Sequence, residues 1–153
     1  VGPMAAVAGV VAGWVGSKLR ASGCAEVIVE NGGDLYVARN RSCTVAVYGG
    51  ESPLSGTLGI CLQPAAMPCG VCCSSGTIGH SLSMGKADAV VVVAPDTALA
   101  DAAATRLGNE VGKSRQSITQ ALTLAESIDG LSGVLILSGD QLGAWGDIEL
   151  VRL

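Results

Sequence analysis

Over residues 4–19 apolar side chains recur at intervals of three and four, at Met4, Val7, Val11, Trp14, Val15 and Leu19. That period predicts a helix with Pro3 in its first turn. Ala5, Gly9 and Gly13 form an adjoining line of small residues, on which another backbone or a ligand can come close. Over 26–30 acidic and apolar residues alternate, as in a half-buried strand, and Asn31-Gly32-Gly33-Asp34 turns the chain into a second strand over 35–38. Further strands are predicted over 44–48, 57–62, 89–94, 133–137 and 146–153, the last entered by Trp145. Pro95-Asp96-Thr97 opens a second helix that Gly108-Asn109 closes with C-cap chemistry. A third is predicted over 117–127, capped near Ser114, with Ile118 and Leu122 inward. Such a series, helices interspersed with strands joined by hairpin-like turns, predicts an α+β fold with a mainly antiparallel sheet packed with helices.

Composition narrows this further. A chain of 153 residues suits one domain over 1–153 and is long enough to hold a core. Apolar residues make up 49% and aromatics only 3%, with no Phe, so the core must be built from Val, Leu, Ile, Ala and Cys. The net charge of −4, with no cluster of Lys or Arg, argues against a nucleic-acid surface. An anionic ligand would be met by backbone amides, a metal or a few placed cations. The apolar opening falls short of the ~20 residues of a spanning helix and lacks the basic start of a signal peptide, so no membrane association is expected. Six cysteines, at 24, 43, 61, 69, 72 and 73, lie mostly in apolar runs and read as free thiols in a reducing, cytoplasmic setting.

The candidate chemistry starts at Asp101 and Thr105. Four residues apart, they project from one face of the second helix, and hard cations take such oxygen ligands together with phosphate oxygens. The competing reading makes Thr97, Asp101 and Thr105 the wet side of an amphipathic helix whose Leu99, Ala103 and Leu107 face inward. The loop containing Ser75, Gly76, Thr77 and His80 offers amides and hydroxyls as a cradle for phosphate or carboxylate, and His80 titrates near neutrality. Lys86 is a candidate cation for an anionic substrate and Asp88 a candidate second acid. Cys69 and Cys72 have C-x-x-C spacing. Without further ligands at zinc spacing they read as small hydrophobes on a strand, with a reactive thiolate at Cys72 or Cys73 as the alternative.

Several of these strings carry a resemblance. Ala100-Asp101-Ala102-Ala103-Ala104-Thr105 resembles the ADALAT-type signature of the ApbE family of flavin transferases, Asn31-Gly32-Gly33-Asp34 its GGD turn and Ser74-Ser75-Gly76 its SG turn. The strings GPMAAVAG, VENGGD, SPLSG, SSGTIGHSLS and GKADAV resemble an uncharacterised branch of ApbE-like proteins. The resemblance implies an ApbE-like fold in which the first helix, the GGD turn, the SG loop and the ADAAAT helix converge. It implies Mg²⁺ at Asp101 and Thr105, and a nucleotide or flavin ligand such as FAD or FMN near Gly32, Gly33, Asp34, Ser75, Gly76, Thr77 and Lys86. His80 is the expected catalytic residue. It also implies that a segment upstream of Val1 is absent, since members are longer there. Two departures bear on activity. The AKG-like lysine is replaced by Ala5-Ala6-Val7-Ala8-Gly9, and the His-rich segment ending in Asp-Pro is reduced to Gly79-His80-Ser81-Leu82-Ser83.

Three functions therefore compete. The first is metal-dependent binding of a nucleotide or flavin-type diphosphate, with FMN-transferase-like activity. The second is a thiol-dependent role in sulfur assimilation or redox metabolism of anaerobes. The third is a non-catalytic homo-oligomeric module that uses the first helix as its interface.

Overall fold

The computed structural model describes residues 1–76, 85–112 and 114–153. Its middle layer is a six-stranded antiparallel sheet, ordered β1 (Val27–Asn31), β2 (Asp34–Ala38), β5 (Cys69–Ser74), β6 (Ala89–Ala94), β7 (Gly133–Ser138) and β8 (Gln141–Gly146). A smaller antiparallel sheet, β3 (Cys43–Ala46), β4 (Leu58–Leu62) and β9 (Glu149–Arg152), covers one face. The other face carries the helices α1 (Val7–Ala21), α2 (Thr97–Gly108) and α3 (Arg115–Glu126).

The strand pattern explains the layering. Alternate residues of β6 serve opposite cores. Val90, Val92 and Ala94 pack with Ala100, Ala103, Ala104 and Leu107 of α2, while Ala89, Val91 and Val93 pack with Ile60 and Leu62 of the small sheet. Asp34, Tyr36 and Ala38 alternate to the helix side of β2, where Tyr36 and Ala38 meet Ala12 of α1.

The β1–β2 hairpin forms as its sequence predicts, with Gly32 and Gly33 at φ +65° and +100° in a two-residue turn that bulkier residues enter only with strain. Asp96 caps α2, its Oδ1 accepting from the Ala98 and Leu99 amides at 2.8 and 3.3 Å. Ser114 caps α3 by accepting from the Ser117 amide at 3.3 Å.

The element ends differ from the sequence expectation in detail. α2 ends at Gly108 with Asn109 as its C-cap, where the sequence places it, but the cap is right-handed at φ −65°; Gly108 lies against Gly85, whose added Cβ would come within 1.7 Å of the Gly108 carbonyl oxygen. The strand predicted over 146–153 is shorter, β9 at Glu149–Arg152, and it is preceded by a strand that was not predicted, β8, which ends where Gly146 takes φ +84°. On α1 the small residues make the close approach and the large apolar ones face outward. Its buried residues are Gly9, Ala12 and Gly16, while Met4, Val7, Val10, Val11 and Trp14 are exposed. At Gly16 a Cβ would overlap the Tyr36 ring, so the small residues let α1 lie directly on β2.

Candidate functional site

The site is assembled where α1, the start of β2, β5 and α2 meet on the helix side of the main sheet. The parity of β2 turns Asp34 inward, and its register partner on β5 is Cys72. From above, α2 lowers Thr97 and Asp101 onto the same place, and both are buried, at 4% and 9% exposure. The wet-side reading of Asp101 and Thr97 is therefore corrected: α2 is packed against β5, β6 and α1, which buries both side chains at the edge of the groove between the two helices. Thr105, one turn farther along, is half-buried.

The approach of α1 depends on Gly9. Its N–H, one of the orphan donors of a helix's first turn, donates to Asp101 Oδ2 at 2.8 Å. A Cβ at this position would stand 2.5 Å from the Thr97 carbonyl oxygen and 2.7 Å from Asp101 Cβ. Asn31, ending β1, donates from Nδ2 to the Ala8 carbonyl at 3.2 Å and holds the same turn of α1 from the other side. The Cys72 thiol donates to the Thr97 carbonyl at 3.4 Å, which ties β5 to the start of α2.

Electrostatically the place is strained. Burial pushes the Asp34 carboxyl from 3.8 up to about 7, and the charge of Asp101 adds to this, while the Cys72 thiol and Cys73 amide pull the other way. Its Oδ1 is buried without a hydrogen-bond partner. Burial likewise raises Asp101, with the Gly9 amide opposing. No Lys or Arg among the described residues forms an ion pair with either carboxylate. Two buried acids that repel each other with no such counter-charge must either keep a proton or meet a cation.

Asp34 and Asp101 carry hard carboxylate oxygens, the kind of donor that a hard cation takes and a soft metal does not. Among the described residues no three His, Cys, Asp or Glu side chains are grouped to hold a metal by themselves. A cation here would need the Thr105 hydroxyl or oxygens of its ligand to complete the shell.

The remaining predicted residues fall in other surroundings. Gly32 is exposed at the hairpin tip, and the Gly33 amide is already donated to Glu30 Oε1 at 2.8 Å. Gly76 and Lys86 share a hollow of about 470 Å³ with Asp88 and the β7–β8 turn at Gly139 and Asp140, in which Gly139 N–H donates to Asp88 Oδ2 at 2.7 Å. Ser75 precedes that hollow and is half-buried. Thr77 and His80 lie outside the described residues. A groove of about 380 Å³ runs along α1 and the start of α2, lined by Gly9, Gly13, Trp14, Tyr36, Thr97 and Ala98.

The C-x-x-C cysteines do not act together. Being three apart on a strand, Cys69 and Cys72 point to opposite faces of the sheet and belong to different cores. Burial raises the thiols of Cys69 and Cys73 to about 11 and that of Cys72 higher still, so none is a thiolate at neutral pH. The reactive thiolate considered for Cys72 and Cys73 has no support from this arrangement. The roles of Cys72 and Asn31 as ties within the site escaped the sequence reading. The only signal for them was their adjacency to motifs that had already been singled out.

Three comparisons place this geometry among known proteins. A family model described as AbpE bacteria matches residues 1–133. A UPF0280 protein of Methanosarcina acetivorans is 40% identical over 151 residues, covering 99% of this chain and 59% of the relative. A UPF0280 protein of Methanococcus aeolicus is 43% identical over 151 residues, covering 97% of this chain and 61% of the relative. The chain thus spans less than two thirds of the length of these curated relatives. The crystal structure of the apo form of Pseudomonas stutzeri flavinyl transferase ApbE matches with a TM-score of 0.60 at 18% identity, over 92% of this chain and 47% of that one. That likeness is one of fold, and it agrees with the α+β, ApbE-like architecture expected from the sequence.

Proposed function

This chain belongs to the family described as AbpE bacteria, and from that premise we propose that it binds a nucleotide or flavin-type diphosphate, such as FAD or FMN, together with a divalent cation. The observation that carries the reading is the buried pair Asp34 and Asp101. They face each other's charge without a basic partner among the described residues, and Asp34 keeps an oxygen with no hydrogen bond. Asp101 and Thr105 would hold the cation, with Asp34 as the second acid beside it. When bound, Mg²⁺ would neutralise phosphate charge and polarise a phosphoryl oxygen.

The chain's own groups have distinct parts in this scheme. Gly9 fixes one oxygen of Asp101 and leaves the other for the ligand. Gly32 and Gly33 would shape the turn that sets Asp34, and Ser75, Gly76 and Lys86 would offer amide, hydroxyl and positive charge from the neighbouring hollow. His80, the catalytic candidate, would act there as acid, base or ligand in an FMN-transferase-like reaction. No helix among the described residues is long and apolar enough to cross a membrane, and the free thiols suit a reducing, cytoplasmic location.

The test is titration of the purified protein with FAD, FMN and ADP, with and without Mg²⁺, for wild type and Asp101→Ala. Metal-dependent binding that the substitution abolishes supports the reading. Failure of all three ligands to bind in the presence of Mg²⁺ overturns it.

A further inference from the structure

Resting on the reading of Asp101 as a cation ligand, we propose that Asn31 is the positioning residue for its carboxylate, acting through the single peptide group that joins Ala8 to Gly9. Asn31 Nδ2 donates to the Ala8 carbonyl oxygen at 3.2 Å, and the Gly9 N–H donates to Asp101 Oδ2 at 2.8 Å. That carbonyl and that N–H are opposite edges of one planar unit, so neither hydrogen bond can tilt the plane without moving the other.

The local sequence explains why the hold must come from outside the helix. Gly9 lies in the first turn of α1, where an N-cap side chain ordinarily accepts from such an amide, but the N-cap is Ala6 and makes no side-chain bond. Asp101, 92 positions away, supplies the missing acceptor. Ala6, Val7, Ala8 and Gly9 have no polar side chain with which to fix their own turn, and any Cβ at Gly9 would collide with Thr97 and Asp101. The Ala8–Gly9 plane is therefore steadied from β1, by Asn31. A carbonyl oxygen has two lone pairs, so it can accept from Asn31 as well as from the helix amide four residues on. Donation to the oxygen also polarises the amide and makes its N–H a stronger donor to the carboxylate.

The same hairpin thus serves both acids. Asn31 and Asp34 are register partners across the Gly32–Gly33 turn, and residues directly opposite each other on paired strands share a face of the sheet. Asp34 enters the site directly. Asn31, on the same helix-facing side, reaches it through α1. A turn with ordinary hairpin chemistry in this way sets the place of one carboxylate and the direction of the other.

The experiment is nitrogen-edited NMR of the Gly9 amide on wild type, Asn31→Ala and Asn31→Asp, with Mn²⁺ titration in the presence of ADP on wild type and Asn31→Ala. Asn31→Asp keeps the shape and turn preference of the side chain but faces the Ala8 carbonyl with a second acceptor, so it reads the relay even where Asn31→Ala disturbs the hairpin. In both variants the Gly9 amide proton is expected to move upfield, as a weakened hydrogen bond requires. Asn31→Ala is expected to bind Mn²⁺ about 10-fold more weakly, as when other partners that orient a ligand are removed. Ser114→Ala, which removes the cap of α3 and lowers stability elsewhere, should leave the Gly9 resonance where it is. A Gly9 amide unmoved in both Asn31 variants overturns the inference, and so does an unchanged Mn²⁺ affinity in Asn31→Ala. A wild type that takes up no Mn²⁺ instead ends the reading of Asp101 as a cation ligand, and the Gly9 amide then decides alone whether Asn31 directs Asp101.

Discussion

The Gly9 amide and the Asp101 carboxylate meet at 2.8 Å although 92 positions separate them. This one bond joins the first turn of α1 to the middle of α2, at the point where the glycine leaves no room for any larger residue.

Gly9→Ala should therefore be costly although alanine favours helices. Its Cβ would meet the Thr97 carbonyl at 2.5 Å, a backbone atom that cannot swing away. We expect a loss of about 2 kcal/mol from overpacking, measured by urea denaturation, with loss of protection at the Gly9 amide in hydrogen exchange.

Stability should fall as pH rises through the range in which Asp34 titrates. Its folded value of about 7 lies above the ordinary 3.8, so the folded state holds the proton more tightly. The contribution is fully present below about 4, is lost progressively toward 7 and stays lost above. We expect a decrease on the order of 2 kcal/mol after allowance for screening. Urea midpoints at pH 5 and pH 8 would show it, and Asp34→Asn should flatten the difference and be more stable than wild type at pH 8.

The cap of α2 offers a simpler test. Asp96 satisfies two amides at the helix start, and Asp96→Ala should cost about 1 kcal/mol in thermal or urea unfolding. Asp96→Asn should retain most of that stability.

Thiol labelling should follow exposure and not the C-x-x-C motif. Cys24 is exposed and Cys69 and Cys72 are buried, with thiols held protonated. Alkylation of the native protein followed by mass mapping should modify Cys24 first, and Cys69 and Cys72 only under denaturing conditions. Rapid labelling of Cys72 would contradict the packing described.

What the sequence made legible was local. The Asn31-Gly32-Gly33-Asp34 turn and the caps at Asp96 and Ser114 are determined by residues within four positions of one another, and each forms where its chemistry requires. The stripe on α1 was equally legible, but the direction it faces was not. Periodicity reports that large apolar residues share a side, and only tertiary packing decides whether that side or the glycine side meets the sheet. Strand β8 was hidden because Gln141-Leu142-Gly143-Ala144-Trp145-Gly146 has no β-branched residue, and it forms because the Gly139-Asp140 turn folds it back on β7. The burial of Asp101 and its opposition to Asp34 depend on contacts across the whole chain, which spacing on a single helix cannot disclose.

Strand β6 is apolar on both sides, and this carries a consequence for how it finds its alignment. Shifting most strands by one residue would drag polar groups into the interior. A one-residue slip of β6 would merely exchange Val90 and Val92 for Val91 and Val93, so hydrophobicity gives it no means of proofreading. The anchoring falls to its entry point, where the Asp88 amide donates to the Leu137 carbonyl at 2.9 Å and the Asp88 carboxylate receives the Gly139 amide. A residue that looks like an ordinary surface acid thereby acts as the index mark of the central strand.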